Sequence, residues 1–154
     1  MKYIKANTSH TEKIYNLIQD TIKTIYPRYY PQEVVEFFCN HHNIDNIIAD
    51  IKNGNTYIIL DNGTIVGTGS CIDNHITRVF VSPNYQGNGF GSYIMTQLEK
   101  EISKKYSDAI LDASLAASRL YEHRGYKTVS HEQIEVENSR ILVYEIIKKE
   151  LSGN

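Results

Sequence analysis

Three closely spaced glycines, Gly87, Gly89 and Gly91, are the most informative chemical feature of the sequence. They follow an apolar run that ends at Val81, and they lead into a second apolar segment that begins at Phe90. Glycine has no Cβ and admits positive φ, so successive backbone N–H groups can converge on an anion at the start of a helix. The spacing predicts a pyrophosphate-binding loop. A glycine-rich turn that only starts a helix stays open as the simpler interpretation.

Two common phosphate-binding loops fit this segment poorly. A nucleotide-hydrolysing P-loop places Lys and then Ser or Thr after its last glycine, whereas Ser92 and Tyr93 follow Gly91 here. A Rossmann loop begins its glycines directly at the end of the first strand, whereas residues 82–86 intervene here, in the middle of the chain. Nucleotide hydrolysis and dinucleotide binding are therefore both disfavoured.

Apolar periodicity predicts the elements that must position this loop. The predicted strands are residues 3–6, 56–60, 64–72, 75–81, 109–113, 127–136 and 140–147. The predicted helices are residues 14–25, 32–42, 45–52 and 90–105, and a further one that is capped by Ser114 and ends at Gly125. The helix over 32–42 is expected to bury Val34, Val35, Phe37 and Phe38. Asp61, Asn62 and Gly63 indicate a hairpin turn.

The order of these elements predicts the fold class. Strand, glycine-rich loop, helix and strand over residues 75–113 predict a right-handed crossover between parallel strands. The remaining strands give a mixed sheet with helices, of α/β or α+β class. A length of 154 residues with 41% hydrophobic residues predicts one domain over residues 1–154.

Charge and cysteine content narrow the class of partner. The net charge of −2 comes from interspersed acids and bases, so no nucleic-acid partner is expected. Charged residues interrupt residues 1–14, so we expect no signal peptide, no membrane partner and a cytoplasmic location. Cys39 and Cys71 are isolated and expected to be reduced. No metal is expected, because the adjacent His41 and His42 would point in different directions on a helix. The oligomeric state stays open, a homodimer included.

Two segments of the chain resemble the GNAT superfamily of N-acetyltransferases. Gln86, Gly87, Asn88, Gly89, Phe90 and Gly91 look like its acetyl-CoA signature, Gln/Arg-x-x-Gly-x-Gly/Ala. Its closing helix is similar to Ala113, Ser114, Ala117, Leu120, Tyr121, Glu122, Gly125 and Tyr126. The resemblance covers residues 56–148 well. It implies a mostly antiparallel sheet of six or seven strands with one splayed parallel pair, flanked by helices.

The resemblance implies that coenzyme A enters a cleft between the strand ending at Val81 and the strand ending near Ala113. The pantetheine arm would pair with backbone groups of Val79 and Val81, and the amides of residues 86–92 would hold the pyrophosphate. The cofactor-binding set implied in this way is Val79, Phe80, Val81, Gln86, Gly87, Asn88, Gly89, Phe90, Gly91, Ser92, Ser114 and Tyr121. Acetyl-CoA is the expected co-substrate.

The resemblance also implies the catalytic roles in acetyl transfer to an amine. The N–H of Val81 would stabilise the oxyanion, and Tyr121 would be the general acid that protonates the leaving thiolate. His75 is the candidate base, with a water chain or Glu33 as alternatives and a purely structural role left open. The acceptor, a small-molecule primary amine, is expected to contact Tyr26, Arg28, Tyr29, Tyr30 and Glu33. The competing hypotheses are a non-catalytic acyl-CoA sensor and a protein or peptide N-acetyltransferase.

Overall fold

A seven-stranded sheet with the order β1-β2-β3-β4-β5-β7-β6 organises the computed structural model, which describes residues 1–152. The strands are β1 (Lys2–Lys5), β2 (Thr56–Asp61), β3 (Thr64–Ile72), β4 (His75–Val81), β5 (Asp108–Ala113), β6 (Lys127–Glu135) and β7 (Ile141–Glu150). The helices are α1 (Thr11–Ile25), α2 (Gln32–His41), α3 (Ile44–Lys52), α4 (Phe90–Ser103) and α5 (Ser118–His123). Gly153 and Asn154, the end of the predicted domain 1–154, lie outside the described residues, and the single-domain organisation stays a prediction.

Two apolar clusters cover the two faces of the sheet. Because successive strand residues point to opposite faces, the neighbours Ile58 and Ile59 of β2 enter different clusters. One cluster holds Ile94 and Leu98 of α4, and the other holds Ile18 of α1 together with residues of α2 and α3. This mixed sheet with helices on both faces confirms the predicted fold class.

The connection between β2 and β3 is the predicted hairpin turn. Asn62 has φ +50° and Gly63 has φ +80°. Positive φ at both central residues is what a two-residue type I′ turn requires, and Asn-Gly supplies it at low cost. The turn sequence therefore sets this part of the sheet locally.

The strands β4 and β5 form the one parallel pair of the described sheet, and they separate almost at once. They are in register only at His75 with Ile110 and Ile76 with Leu111, whereas the other neighbouring strands are antiparallel. The remainder of β4 has no strand beside it on that side in the described chain. This gap confirms the splayed parallel pair that the family resemblance implied.

A β-bulge in β4 changes which face its first residues present. Ser70 of β3 pairs with Arg78, but the next residue, Cys71, pairs with Ile76, so Thr77 is an extra residue on β4. In a regular strand, side chains three positions apart point to opposite faces. The bulge instead lets both His75 and Arg78 face the α2 and α3 side.

The closing helix differs from its prediction at the N-terminal end. Residues Leu115–Ala117 form a 3-10 turn, and α5 begins only at Ser118. Ser114 precedes the turn without capping it by a side-chain hydrogen bond. The hydroxyl oxygen of Tyr30 accepts the Leu115 N–H at 2.7 Å instead. At the other end Gly125, with φ +88°, supplies the predicted left-handed cap.

The prediction for α2 was only partly right. Val34 and Val35 are buried, but Phe37 and Phe38 are only half-buried because they line an open cavity. Among residues 1–152, no helix is both long enough and apolar enough to span a bilayer.

Candidate active site

The gap between β4 and β5 exposes backbone hydrogen-bonding groups of β4. The Ser82 N–H donates to the Val66 carbonyl at 2.9 Å. Val81 and Gly67, which are opposite each other, therefore form a non-hydrogen-bonded pair of the antiparallel ladder. The alternation of an antiparallel ladder then turns the N–H and C=O groups of Val79 and Val81 away from β3 and into the gap. Gln86 Nε2 donates to the Val81 carbonyl at 3.0 Å, which ties the following loop to the strand end. The Val81 N–H faces the cleft.

The glycine-rich loop closes one end of this gap. Gly87 has φ +81°, and Gly89, the residue before α4, has φ +84°. A Cβ at either position would meet no other atom within 4 Å, so the backbone conformation and not crowding favours glycine there. The start of the 14-residue helix α4 carries unpaired N–H groups and no acidic residue in its first turn. The loop therefore has the positive φ values and the adjoining helix start on which the prediction of an anion site depends, and anion binding itself stays a prediction.

A cavity of about 350 Å³ lies along the gap and the loop. Its lining includes most of the predicted cofactor-binding residues, namely Val79, Phe80, Val81, Gln86, Gly87, Gly89, Phe90, Gly91 and Ser92. It also includes Thr21, Ile25, Tyr26, Tyr85, Ala117 and Leu120. Asn88 lies outside this lining, where its Nδ2 donates to the Tyr85 carbonyl at 3.1 Å and braces the loop. We call this cavity the cofactor cleft.

A narrower cavity of about 80 Å³ continues from the cofactor cleft, and we call it the neck. Tyr121 lines the neck and is only 7% exposed. Burial, followed by the nearby Tyr26, raises the pKa of the Tyr121 phenol well above its ordinary value. The hydroxyl therefore keeps its proton at neutral pH and is able to donate it.

Tyr26 lines both the cofactor cleft and the neck. Burial raises the pKa of Tyr26 to about 12, although a side-chain hydrogen bond with Ser114 opposes the shift. Tyr26, which follows α1, and Ser114, which follows β5, both line the neck. The Tyr26 ring also packs edge-on against Phe38, with centroids 4.9 Å apart.

A third cavity, of about 340 Å³, lies beyond the neck, and we call it the acceptor cavity. Its lining comes from α2 and the residue after it, from β4 and β5, and from the β6–β7 pair. These residues are Phe37, Phe38, His41, His42, His75, Ile76, Thr77, Asp112, Ala113, Ser114, Ile134, Leu142 and Tyr144. The neck shares Thr77, Asp112 and Ser114 with this lining, so the three cavities follow one another through the gap.

His75 lies in the acceptor cavity beside Asp112. The His75 Nε2 is 3.6 Å from the Asp112 Oδ1, and the two side chains are 37% and 51% exposed. An imidazole beside a carboxylate is a combination that can accept a proton and hold it. Thr77 Oγ1, at the junction with the neck, is buried and has no hydrogen-bond partner in the described part of the chain.

His42 is held as a neutral imidazole by its neighbours. The Arg78 Nε donates to His42 Nδ1 at 2.9 Å, so that nitrogen carries no proton, and Arg78 is also paired with Asp50. Burial, and then the positive charge of Arg78, lowers the pKa of His42 to about 3. Burial and Arg78 likewise lower the pKa of His41.

The residues predicted to bind the acceptor are dispersed. Arg28 and Tyr29 are exposed and line none of the three cavities. Tyr30 supports the Leu115 turn, and Glu33 accepts a hydrogen bond from Asn138 Nδ2 at 3.2 Å. The Glu33 amide, Asn138 and the nearby Arg140 lower the pKa of the Glu33 carboxyl. Contact of these residues with an acceptor stays a prediction.

Sequence reasoning missed most of the acceptor-cavity wall. A signal was present in and just after α2. Phe37 and His41 are four positions apart, as are Phe38 and His42, and residues at this spacing lie on the same helix face. No comparable signal links this face to Asp112 or to the β6–β7 pair. Across residues 1–152, no group of three or more His, Cys, Asp or Glu side chains is arranged to hold a metal ion.

Comparison with known proteins agrees with this geometry. Residues 25–148 match the acetyltransferase (GNAT) domain family. The Escherichia coli protein YafP, an uncharacterized N-acetyltransferase, is 30% identical over 79 residues, which are 51% of this chain and 50% of that protein. The chain thus spans about half the length of this curated relative.

Solved structures share the fold. A GCN5-related N-acetyltransferase from Rhodopseudomonas palustris has a TM-score of 0.89 at 21% identity, over 97% of this chain and 95% of that one. YncA from Salmonella typhimurium, solved with its cofactor acetyl-CoA, has a TM-score of 0.76 at 17% identity, over 100% of this chain and 95% of that one. Together with the domain match, which covers most of its length, these findings show that the chain belongs to the GNAT acetyltransferase family.

Proposed function

We propose that this protein transfers an acetyl group from acetyl-CoA to the primary amine of a small molecule. The observation that carries the proposal is the succession of cofactor cleft, neck and acceptor cavity through the β4–β5 gap. The neck joins a site suited to a pyrophosphate to a separate site beyond it. A donor and an acceptor entering from the two ends would meet beside Tyr121.

The residues of the cofactor cleft fit coenzyme A. The amides of residues 86–92 would hold the pyrophosphate, since Gly87 and Gly89 have the positive φ that lets them converge. The backbone groups of Val79 and Val81 that face the gap would pair with the peptide-like pantetheine arm. Bound acetyl-CoA supplies the activated acyl group, and YncA, which shares the fold, holds acetyl-CoA as its cofactor.

The chain offers a group for each demand of acyl transfer. His75 would accept a proton from the attacking amine, directly or through water, as the new C–N bond forms. The Val81 N–H, which points into the gap, would stabilise the negative charge that develops on the acyl oxygen. Tyr121, which keeps its proton because burial raises its pKa, would protonate the sulfur as the C–S bond breaks.

A thiol-release assay across a panel of amines tests this function. We expect acetyl-CoA to raise the melting temperature and at least one small amine to release coenzyme A steadily. Cofactor binding without release on any amine would favour the acyl-CoA sensor. Release with peptide N-termini but not with small amines would favour the peptide acetyltransferase.

A further inference from the structure

The acceptor cavity combines an apolar wall with a single acidic group. The apolar side chains come from three regions of the chain, with Phe37 and Phe38 on α2, Ile134 on β6, and Leu142 on β7. Ile134 and Leu142 are directly paired across the β6–β7 ladder, so their side chains are neighbours in the lining. Such a wall favours a ligand with an apolar body.

The charges around the cavity are uneven. Asp112 is the one carboxylate in its lining, taken over the described residues. The guanidinium of Arg78, which donates to the lining residue His42, is buried and also paired with Asp50. His42 is neutral because its Nδ1 accepts a hydrogen bond, and burial holds the pKa of His41 low. The cavity therefore offers an ammonium group a charged partner at Asp112, whereas its lining holds no lysine or arginine that could pair with a carboxylate group.

We infer that the acceptor is a monoamine with an aromatic or branched apolar body and without a carboxylate next to its amino group. The inference rests on the proposed acetyltransferase function and names the acceptor class. Asp112 attracts the ammonium group and brings it to His75, whose Nε2 lies 3.6 Å from the Asp112 Oδ1. The apolar body packs against Phe37, Phe38 and Leu142. An α-amino acid would bring its carboxylate to Asp112, and a polyamine would place a second cation against the apolar wall.

Competition among matched amines tests the acceptor class. The probes are 2-phenylethylamine, L-phenylalanine and spermidine. L-Phenylalanine differs from 2-phenylethylamine only by its added carboxylate. We expect kcat/KM for 2-phenylethylamine to exceed kcat/KM for either other probe at least about tenfold. The carboxylate of L-phenylalanine is repelled by Asp112, and a second ammonium group of spermidine has no partner at the apolar wall. Equal or better use of L-phenylalanine or spermidine would overturn the inference and leave the transferase function intact.

Asp112→Asn tests the ammonium partner without requiring turnover. Binding of 2-phenylethylamine is measured by calorimetry with the protein saturated with coenzyme A. We expect Kd to rise about two- to fivefold, the size typical of an exposed ion pair. The control is Asp20→Asn, which removes the same charge at an exposed position of α1 away from the cavity and should leave Kd unchanged.

The neutral isostere 2-phenylethanol separates charge recognition from structural damage. Asp112→Asn should not weaken its binding, and it should not reduce the melting-temperature gain given by coenzyme A. Equal losses for amine and alcohol would show that Asp112 acts on structure, and the inference would fail. If the binding pattern holds but no amine is acetylated, the transferase function fails while the amine site stands.

Discussion

Substitution of Gly89 isolates the backbone contribution to cofactor binding. Gly89 has φ +84° and lines the cofactor cleft. A Cβ there meets no protein atom within 4 Å, so in Gly89→Val the added side chain occupies open space at the loop. The left-handed conformation costs a non-glycine residue about 1–2 kcal/mol, and relaxation away from it would turn the neighbouring amides.

Gly63 provides a matched control. It has φ +80°, its Cβ would also meet nothing within 4 Å, and it lies in the β2–β3 turn outside the three cavities. Gly63→Val should therefore cost a similar free energy of unfolding, which is about 2–4 °C in melting temperature per kcal/mol for a chain of this size. It should leave cofactor binding unchanged.

The expected effect of Gly89→Val on affinity is large. Two lost hydrogen bonds to a charged phosphate, at about 1.5–3 kcal/mol each, raise Kd a hundredfold or more. Acetyl-CoA at about 100 times the wild-type Kd stabilises the native state by about 2.7 kcal/mol, and a hundredfold weaker site leaves about 0.4 kcal/mol. A melting scan with and without acetyl-CoA measures both quantities. A folded Gly89→Val protein with the full acetyl-CoA shift, or an equal loss in Gly63→Val, would refute the reasoning.

Three further substitutions test the chemistry and the charge of the site. Tyr121→Phe should preserve the acetyl-CoA melting shift and lower kcat about tenfold to a thousandfold, because it removes one proton donor and little packing surface; an unchanged kcat assigns Tyr121 to packing. His75→Gln should lower kcat and preserve the acetyl-CoA melting shift, whereas a structural histidine would lower stability and leave kcat of the folded protein unchanged. His42 has a pKa of about 3 in the folded protein against an ordinary value of 6.5, so the unfolded chain binds its proton first and stability falls as pH drops below 6.5. Between pH 6.5 and 5 this site alone should cost about 1.5 kcal/mol. Urea unfolding measures this loss of stability. The loss should be absent in His42→Gln and present in the exposed control His123→Gln, and an identical pH dependence in both variants would contradict the assignment of the loss to His42.

The sequence by itself determined the features that depend on local residue types. Positive φ at Gly87, Gly89 and Gly125 follows from the freedom of glycine, so the loop and the end of α5 were predictable. The Asn62-Gly63 turn and the bounds of β4 follow from turn chemistry and strand periodicity in the same way. The resemblance of two short motifs supplied the splayed pair and the location of the cofactor cleft.

Only the tertiary structure decided how the acceptor side of the site is built. The extra residue Thr77 brings His75 and Arg78 to one face, and a bulge of this kind leaves no mark in the apolar alternation of β4. The acceptor cavity joins α2 to the β6–β7 pair, which begins 86 positions after α2 ends. The neutral state of His42 depends on Arg78, which lies 36 positions away. Contacts between distant segments are fixed by packing of the whole sheet, and no local pattern in the sequence encodes them.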